Sequence, residues 1–273
     1  MKQSGTMTTD RKFTLITGGS SGIGAAFARE LASRGHHLLI VALPDETLHA
    51  FGLEIRKHYA VDCYTLGVDL SEESAPAVVE EWVQTNGFCI NILINNAGIG
   101  SKEIFGNLPP EFYRKQLMVN VVNTTIITRL LLNNLKTNGQ SYILNMGSLG
   151  GFFCIPEKVS YVASKAFIHS FSNSLRCELK GSGVHVVLVC PGGVTSNPNS
   201  TQIISEMKGL ARKSAFDPEK LARLTIDRMF RNDTTIIPGL LNRSFLHASR
   251  FVPPFLKSLV INRQFTRKSR YGA

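Results

Sequence analysis

Apolar residues fall into short unbroken runs, and between these runs lie longer stretches in which they recur every three or four positions. A β-rich run at 13–17 leads through a glycine turn into an amphipathic stretch at 23–34, with Gly35 placed as its C-cap. The unit then repeats at a period of about 25 residues. Strands are expected at 37–42, 62–68 and 90–94, and helices at 45–59 and 71–86. A long helical pattern follows at 112–135, then a strand at 142–146, a helix at 159–179 and a strand at 184–189. Runs such as Leu38-Leu39-Ile40-Val41 and His185-Val186-Val187-Leu188-Val189 lack polar alternation, as strands covered by helices on both faces do. The expected fold is α/β: a doubly wound, Rossmann-type central parallel sheet of about seven strands, flanked by helices on both faces. Its ligand crevice would lie beyond the carboxyl ends of the strands, so chemistry is sought in the turns that follow them.

The first such turn is Thr17-Gly18-Gly19-Ser20-Ser21-Gly22-Ile23-Gly24. Glycines let a pyrophosphate approach backbone N–H groups, and the helix N-terminus adds partial positive charge. The spacing is G-x-x-x-G-x-G rather than the commoner G-x-G-x-x-G, and alone it fits a structural turn almost as well. Tyr161 and Lys165, four positions apart in a helical pattern, fall on one helix face. A phenol normally titrates near 10, and a neighbouring ammonium would favour the phenolate and make it a better acid–base group. By itself this pair is as readily a solvated helix face.

Taken in order, Thr17-Gly18-x-x-x-Gly22-x-Gly24, Asp69, Asn95-Asn96-Ala97-Gly98, Asn120, Ser148, Tyr161-x-x-x-Lys165 and Pro191-Gly192 resemble the short-chain dehydrogenase/reductase family over about residues 13–196. The resemblance implies hydride transfer between NADP or NAD and an alcohol or carbonyl carbon, with Asn120, Ser148, Tyr161 and Lys165 as a catalytic tetrad. Tyr161 would be the acid in reduction and the base in oxidation, and Ser148 would hold the substrate oxygen. Lys165 would bind the nicotinamide ribose and, together with the positively charged oxidised ring, lower the pKa of Tyr161, and Asn120 would hold a water that links Lys165 to solvent for proton relay. It also implies cofactor contacts from Gly18, Ser20, Ser21, Gly22, Ile23 and Gly24, from Asp69 and Leu70 at the adenine, and from Asn95, Ala97 and Gly98. Pro191, Gly192, Val194 and Ser196 would meet the nicotinamide, Ser196 standing where the family more often has Thr and adjacent Thr195 offering an alternative hydroxyl. A homodimer or homotetramer is implied too, through the helices at 112–135 and 159–179.

The choice of cofactor turns on the end of the second strand, Val41-Ala42-Leu43-Pro44-Asp45. Neither an acid nor an arginine stands at 42–44, which tilts the expectation to NADP. Asp45 is either a ribose acceptor or the cap of the next helix. Gly150, Phe152 and Phe153 are expected to bind a small hydrophobic carbonyl or alcohol substrate beside Ser148, the two aromatics having helix packing as their alternative. The segment 197–216 is read as a lid. A ketoacyl-carrier or fatty-acyl reductase shares the same tetrad, and a dinucleotide-binding regulatory protein without turnover is the contrasting class.

Charge adds a third region. The net charge of +10 is concentrated at the end, where seven Lys or Arg and no acid follow from Arg243 onward. The body is therefore near balance, and nucleic acid is not an expected partner. Residues 241–273 are read as a basic extension in which Phe255, Leu256, Leu259 and Val260 share a helix face. Packing on a partner subunit is preferred there over peripheral membrane contact. Residues 1–12 read as a loose polar tail, leaving 13–240 as a single catalytic domain. Five scattered cysteines show no metal or redox spacing, so no metal site is expected and reduced thiols in the cytoplasm fit best.

Overall fold

The computed structural model describes residues 11–206 and 214–249. Residues 1–10 of the expected tail, the middle of the lid and the apolar face at 255–260 lie outside the described residues; the last two tail positions are structured, Arg11 pairing with Asp62 (2.6 Å) and Lys12 opening the first strand. Seven strands form one parallel sheet in the order β3-β2-β1-β4-β5-β6-β7. They are β1 (Lys12–Thr17), β2 (His37–Ala42), β3 (Cys63–Gly67), β4 (Cys89–Asn95), β5 (Ser141–Met146), β6 (Val184–Val189) and the two-residue β7 (Thr235–Ile236). Crossover helices are α1 (Gly22–Ser33), α2 (Glu46–His58), α3 (Ala75–Thr85), α4 (Pro110–Leu117), α5 (Asn123–Thr137), α6 (Val159–Glu178), α7 (Pro198–Glu206) and α8 (Pro218–Phe230), with α9 (Leu240–Ser249) closing the described chain.

Neighbouring residues on a strand feed opposite layers, which is why the runs are apolar throughout. Leu38 and Ile40 pack with Phe27 and Leu31 of α1 and with Leu221 and Ile226 of α8 on one face. Leu39 and Val41 pack with Val79 and Val83 of α3 and with Ile127 and Leu131 of α5 on the other. From β1 the chain winds outward to β3, then returns to β4 on the other side of β1. The strand order reverses there, which is where a doubly wound sheet places its ligand crevice, beyond the carboxyl ends of the strands.

Three expectations change. The helix expected at 71–86 begins at Ala75. Asp69 accepts a bond from Ser71 N (2.8 Å), and the Asn123 amide donates to the carbonyls of Leu70 (2.7 Å) and Glu72 (2.9 Å), so this loop is held out of the helix. The long pattern at 112–135 is two helices joined by a π turn at Met118–Val122, a widened turn of the kind often found at functional sites. Past residue 240, where the sequence pattern places the end of the domain, α9 buries Asn242, Leu246 and Ser249, so packing continues to the last described residue.

Candidate active site

At the end of β1 the glycine turn and the loop after β4 are built as one piece. Thr17 Oγ1 accepts from the backbone N–H groups of Asn96 (3.0 Å) and Ala97 (3.2 Å), while the Asn96 amide donates to the carbonyls of Thr17 and Gly18, each at 3.0 Å. Gly18 and Gly22 adopt φ of 61° and 52°, a left-handed region that costs any residue with a Cβ. A Cβ on Gly24 would lie 2.0 Å from Gly18 O, and one on Gly22 would lie 3.0 Å from Ser196 O. The turn therefore presents bare main chain at the first helix N-terminus, a cradle that fits a dinucleotide pyrophosphate. Asn95 lies deeper: its amide donates to Thr128 Oγ1 (2.9 Å) and Asn145 Oδ1 (2.8 Å), tying β4 to α5 and β5 beneath the crevice.

The four tetrad positions converge at the ends of β4 and β5. Lys165 is buried, 6% exposed, and donates through Nζ to Met146 O at 2.8 Å, with Nζ 5.9 Å from the Tyr161 ring centroid. Ser148 Oγ accepts from Gly150 N at 3.1 Å, and its side chain acts on the Tyr161 phenol in the direction that favours the phenolate. A Cβ on Gly98 would lie 3.5 Å from Lys165 Nζ and 3.4 Å from Asn120 Oδ1, ordinary contact distances that place Gly98 against the corner where these side chains meet. Asn120 sits in the π turn with its side chain committed: Oδ1 accepts from Ile99 N (2.8 Å), and Nδ2 donates to Ile99 O and Ser164 Oγ, both at 3.0 Å.

The electrostatics differ from the sequence expectation. Burial pushes the Tyr161 phenol up, outweighing the Ser148 hydrogen bond, which acts in the opposite direction. Lys165 does not lower it in the free chain; desolvation instead brings the Lys165 ammonium down from 10.5 to about 8. Tyr161 is therefore held as the neutral acid at neutral pH. Beneath them Cys190 is a buried thiol pushed up to about 12, a packing group rather than a nucleophile.

A stability prediction follows. An ammonium whose folded pKa lies below its unfolded value binds protons more readily in the unfolded chain. It weakens the fold at pH 7, and the weakening is relieved as pH rises from about 8 toward 10.5. Lys165→Met removes that titration. Its melting temperature relative to wild type is expected to fall by roughly 5 °C between pH 7 and pH 10, corresponding to ~2 kcal/mol. A gap independent of pH would show that Lys165 is not desolvated.

Around this centre the structure sorts the remaining positions. Asp45 caps α2, accepting from Leu48 N at 2.9 Å, and is thereby occupied as a helix cap. Asp69 and buried Leu70 stand in the loop after β3 that Asn123 anchors. In the loop after β6, Val194 is buried and pairs with Phe216, and Thr195 turns its hydroxyl toward Phe216 O (3.4 Å). Ser196 is the residue set against Gly22. Pro191 O accepts from Leu149 N at 2.8 Å, and Gly192 packs on Asn242. Of the lid, α7 places Ile204 over Gly193, where a Cβ would lie 3.2 Å from the Ile204 side chain.

The two aromatics expected beside the substrate both make packing contacts and are only partly buried. Phe152 lies tilted against His169 (4.6 Å between centroids) and packs against Ile168, Leu188 and Cys190, and Phe153 packs on Phe245 of α9 (5.2 Å). Both rings find apolar partners on helices, the packing alternative, because the short helical turn Leu149–Phe152 is pressed onto α6: a Cβ on Gly151 would lie 2.9 Å from the Lys165 carbonyl carbon. Gly150 remains beside Ser148. Sequence reasoning missed Asn96, Gln116, Asn123 and Asn242. Buried Gln116 donates to Ile99 O (3.1 Å) and accepts from Ser160 Oγ, fixing the start of α6 to the loop after β4. Their only signal was an amide inside a helical or loop pattern, which marks no partner. Among the described residues no cluster of His, Cys, Asp or Glu is arranged to hold a metal, and no helix is long and apolar enough to cross a membrane.

Comparison with known proteins agrees with this geometry. A family model described as short chain dehydrogenase matches residues 12–207, and the chain belongs to that family. It is 32% identical over 184 residues to the very-long-chain 3-oxoacyl-CoA reductase-A of Danio rerio, covering 66% of this chain and 57% of the relative. It is 30% identical over 227 residues to the very-long-chain 3-oxoacyl-CoA reductase of Phaeosphaeria nodorum, covering 81% and 64% respectively. The chain thus spans less than two thirds of the length of these relatives. Among solved structures, a short-chain dehydrogenase from Sphingobium yanoikuyae in complex with NADPH superposes with a TM-score of 0.76 at 26% identity, over 96% of this chain and 98% of that one.

Proposed function

We propose that the chain is an NADP-dependent oxidoreductase that interconverts a ketone and a secondary alcohol on a hydrophobic acyl substrate. The observation that carries this reading is the convergence of Ser148, Tyr161 and a buried Lys165, whose Nζ stands 5.9 Å from the Tyr161 ring centroid, at the mouth of a parallel sheet. A nicotinamide held here would supply the hydride for reduction and accept it in oxidation. Tyr161 delivers a proton to the carbonyl oxygen, and Ser148 orients that oxygen by donating a hydrogen bond. Lys165 holds the ribose hydroxyls and stabilises the tyrosinate left after proton delivery. NADP is favoured because Asp45 is engaged as a cap and no acid stands at 42–44 to repel a 2′-phosphate. The NADPH complex of the Sphingobium protein supports the same choice.

Reduction of 3-oxoacyl thioesters is the specific reading that the two curated relatives favour. The test is consumption of NADPH, against NADH, with 3-oxoacyl thioesters of graded length and with bulky ketones. Cofactor binding without turnover on any of them would end the proposal in favour of a non-catalytic dinucleotide-binding protein.

A homodimer through the helical layer of α4, α5 and α6 belongs to the same proposal. Leu117, Ile126 and Phe167 are exposed on these helices, and Phe167 stacks on Phe171 at 6.0 Å. Ile126→Glu with Phe167→Glu is expected to convert the assembly to monomers in sedimentation velocity; an unchanged sedimentation coefficient would place the interface elsewhere. A cytoplasmic location is likewise proposed, supported by the exposed free thiols of Cys154 and Cys177.

A further inference from the structure

Beside the tetrad stands a cationic group for which the reaction, as derived, has no use. Lys158, at the N-cap of α6, is half-buried and holds Nζ 6.0 Å from the Tyr161 ring centroid. Lys102, in the loop after β4, lies close enough for its charge to act on Lys158, and burial and Lys102 together lower the Lys158 pKa. Two like charges brought together under partial burial ordinarily gather a carboxylate. Here, among the described residues, neither lysine is in an ion pair. The neighbouring acids do not serve: Glu103 Oε1 accepts from Ile104 N (2.8 Å) and Asn107 Nδ2 (3.0 Å).

The arrangement is also rigidly built. Glu157, immediately before Lys158, takes φ of 64°, a left-handed conformation uncommon for a residue with a side chain and often retained at ligand-binding sites. Its carbonyl accepts from Glu103 N at 2.8 Å, locking the two lysine-bearing loops to each other. The Ser160 hydroxyl is bound to Gln116 two residues further on, so the start of α6 is fixed from both sides.

We propose that Lys158, reinforced by Lys102, receives an acyl oxygen of the substrate, a carboxylate or a thioester carbonyl, a few bonds from the carbonyl that Tyr161 protonates. This rests on the reductase reading above and narrows its substrate to compounds with two carbonyl groups in 1,3 relation. One oxygen meets Tyr161 and Ser148; the other meets the ammonium, which donates a charge-assisted hydrogen bond and draws electron density from the carbon that accepts hydride. A simple ketone of equal length fills the same apolar space and leaves the lysine without a partner. Lys158 is thus a specificity-determining residue.

The test compares 3-oxooctanoate, its N-acetylcysteamine thioester and 2-octanone with the full chain and NADPH. In Lys158→Met the ratio of kcat/KM for each acyl substrate to that for the ketone is expected to fall about tenfold or more, mostly through KM, and Lys158→Arg restores most of it. Lys102→Gln produces a smaller fall in the same direction. Loss on the acid alone identifies a carboxylate site, and loss on the thioester alone a carbonyl site. An equal fall on all three compounds, or an unchanged ratio, overturns the assignment. Calorimetric binding of the three compounds to the NADP-loaded protein reads the lysine without turnover. A wild type that binds but does not reduce them refutes the reductase reading, and the variant's retained or lost preference for the acyl compounds still decides the lysine.

Discussion

Tyr161→Phe is expected to lower kcat for carbonyl reduction by about a thousandfold while NADPH affinity moves only a few-fold, because the change removes one oxygen and keeps the ring. Burial raises the phenol's pKa, so in wild type the acid form persists through neutral pH. Reduction should therefore stay level from pH 6 to 8. Alcohol oxidation needs the conjugate base and should climb with pH across the same range. The phenylalanine variant loses the oxygen responsible for both behaviours. Stopped-flow or steady-state NADPH absorbance in each direction checks this. A variant with near-wild-type turnover, or one that loses cofactor binding in parallel with activity, would remove Tyr161 from the proton-transfer role.

Gly24→Ala is expected to be almost as severe by a different route. The new Cβ would lie 2.0 Å from Gly18 O and 2.6 Å from Asn96 Nδ2, the first being backbone that cannot swing aside. Relief requires the glycine turn to lift from α1, breaking the bonds by which Asn96 holds Thr17 and Gly18. The cost should be about 3 kcal/mol or more, a fall in melting temperature of roughly 10 °C, with NADPH affinity reduced in step. Gly106→Ala is the matched control: nothing lies within 4 Å of its Cβ position, and its φ is not in the left-handed region. Thermal melts with and without NADPH distinguish the two sites. A stable Gly24→Ala protein with unaltered cofactor affinity would show that the turn is not the cradle described.

The alternation of apolar runs and helical stretches was enough to set the layered architecture, because strands buried on both faces have nowhere to put a polar residue. Motif order was enough to bring Ser148, Tyr161 and Lys165 to one corner, since each is fixed by a strand end or a helix turn adjacent in sequence. What lay beyond the motifs has a different origin. Helix 71–86 was cut short by Asn123, a residue over fifty positions from the carbonyl of Leu70 that it binds. Phe152 and Phe153 were aimed by their contacts with His169 and Phe245, again long-range partners. The direction of the Tyr161 shift was missed because proximity to an ammonium is visible in a motif, whereas the depth of burial is not. Lys158 carried no signal either; one lysine three residues before a tyrosine is unremarkable until two loops are seen to meet.

The packing of α9 carries a consequence for how such an enzyme changes its selectivity. Asn242 bonds Pro238 O (2.8 Å) and Ser214 O (3.3 Å) while resting on Gly192, and Phe245 lies on Phe153, five residues from Ser148. The last described helix therefore leans at once on the loop after β6 and on the loop after β5 that carries Ser148. Exchange of this ten-residue helix can retune both loops without touching a tetrad side chain, which makes it a natural handle for evolution and for directed diversification alike.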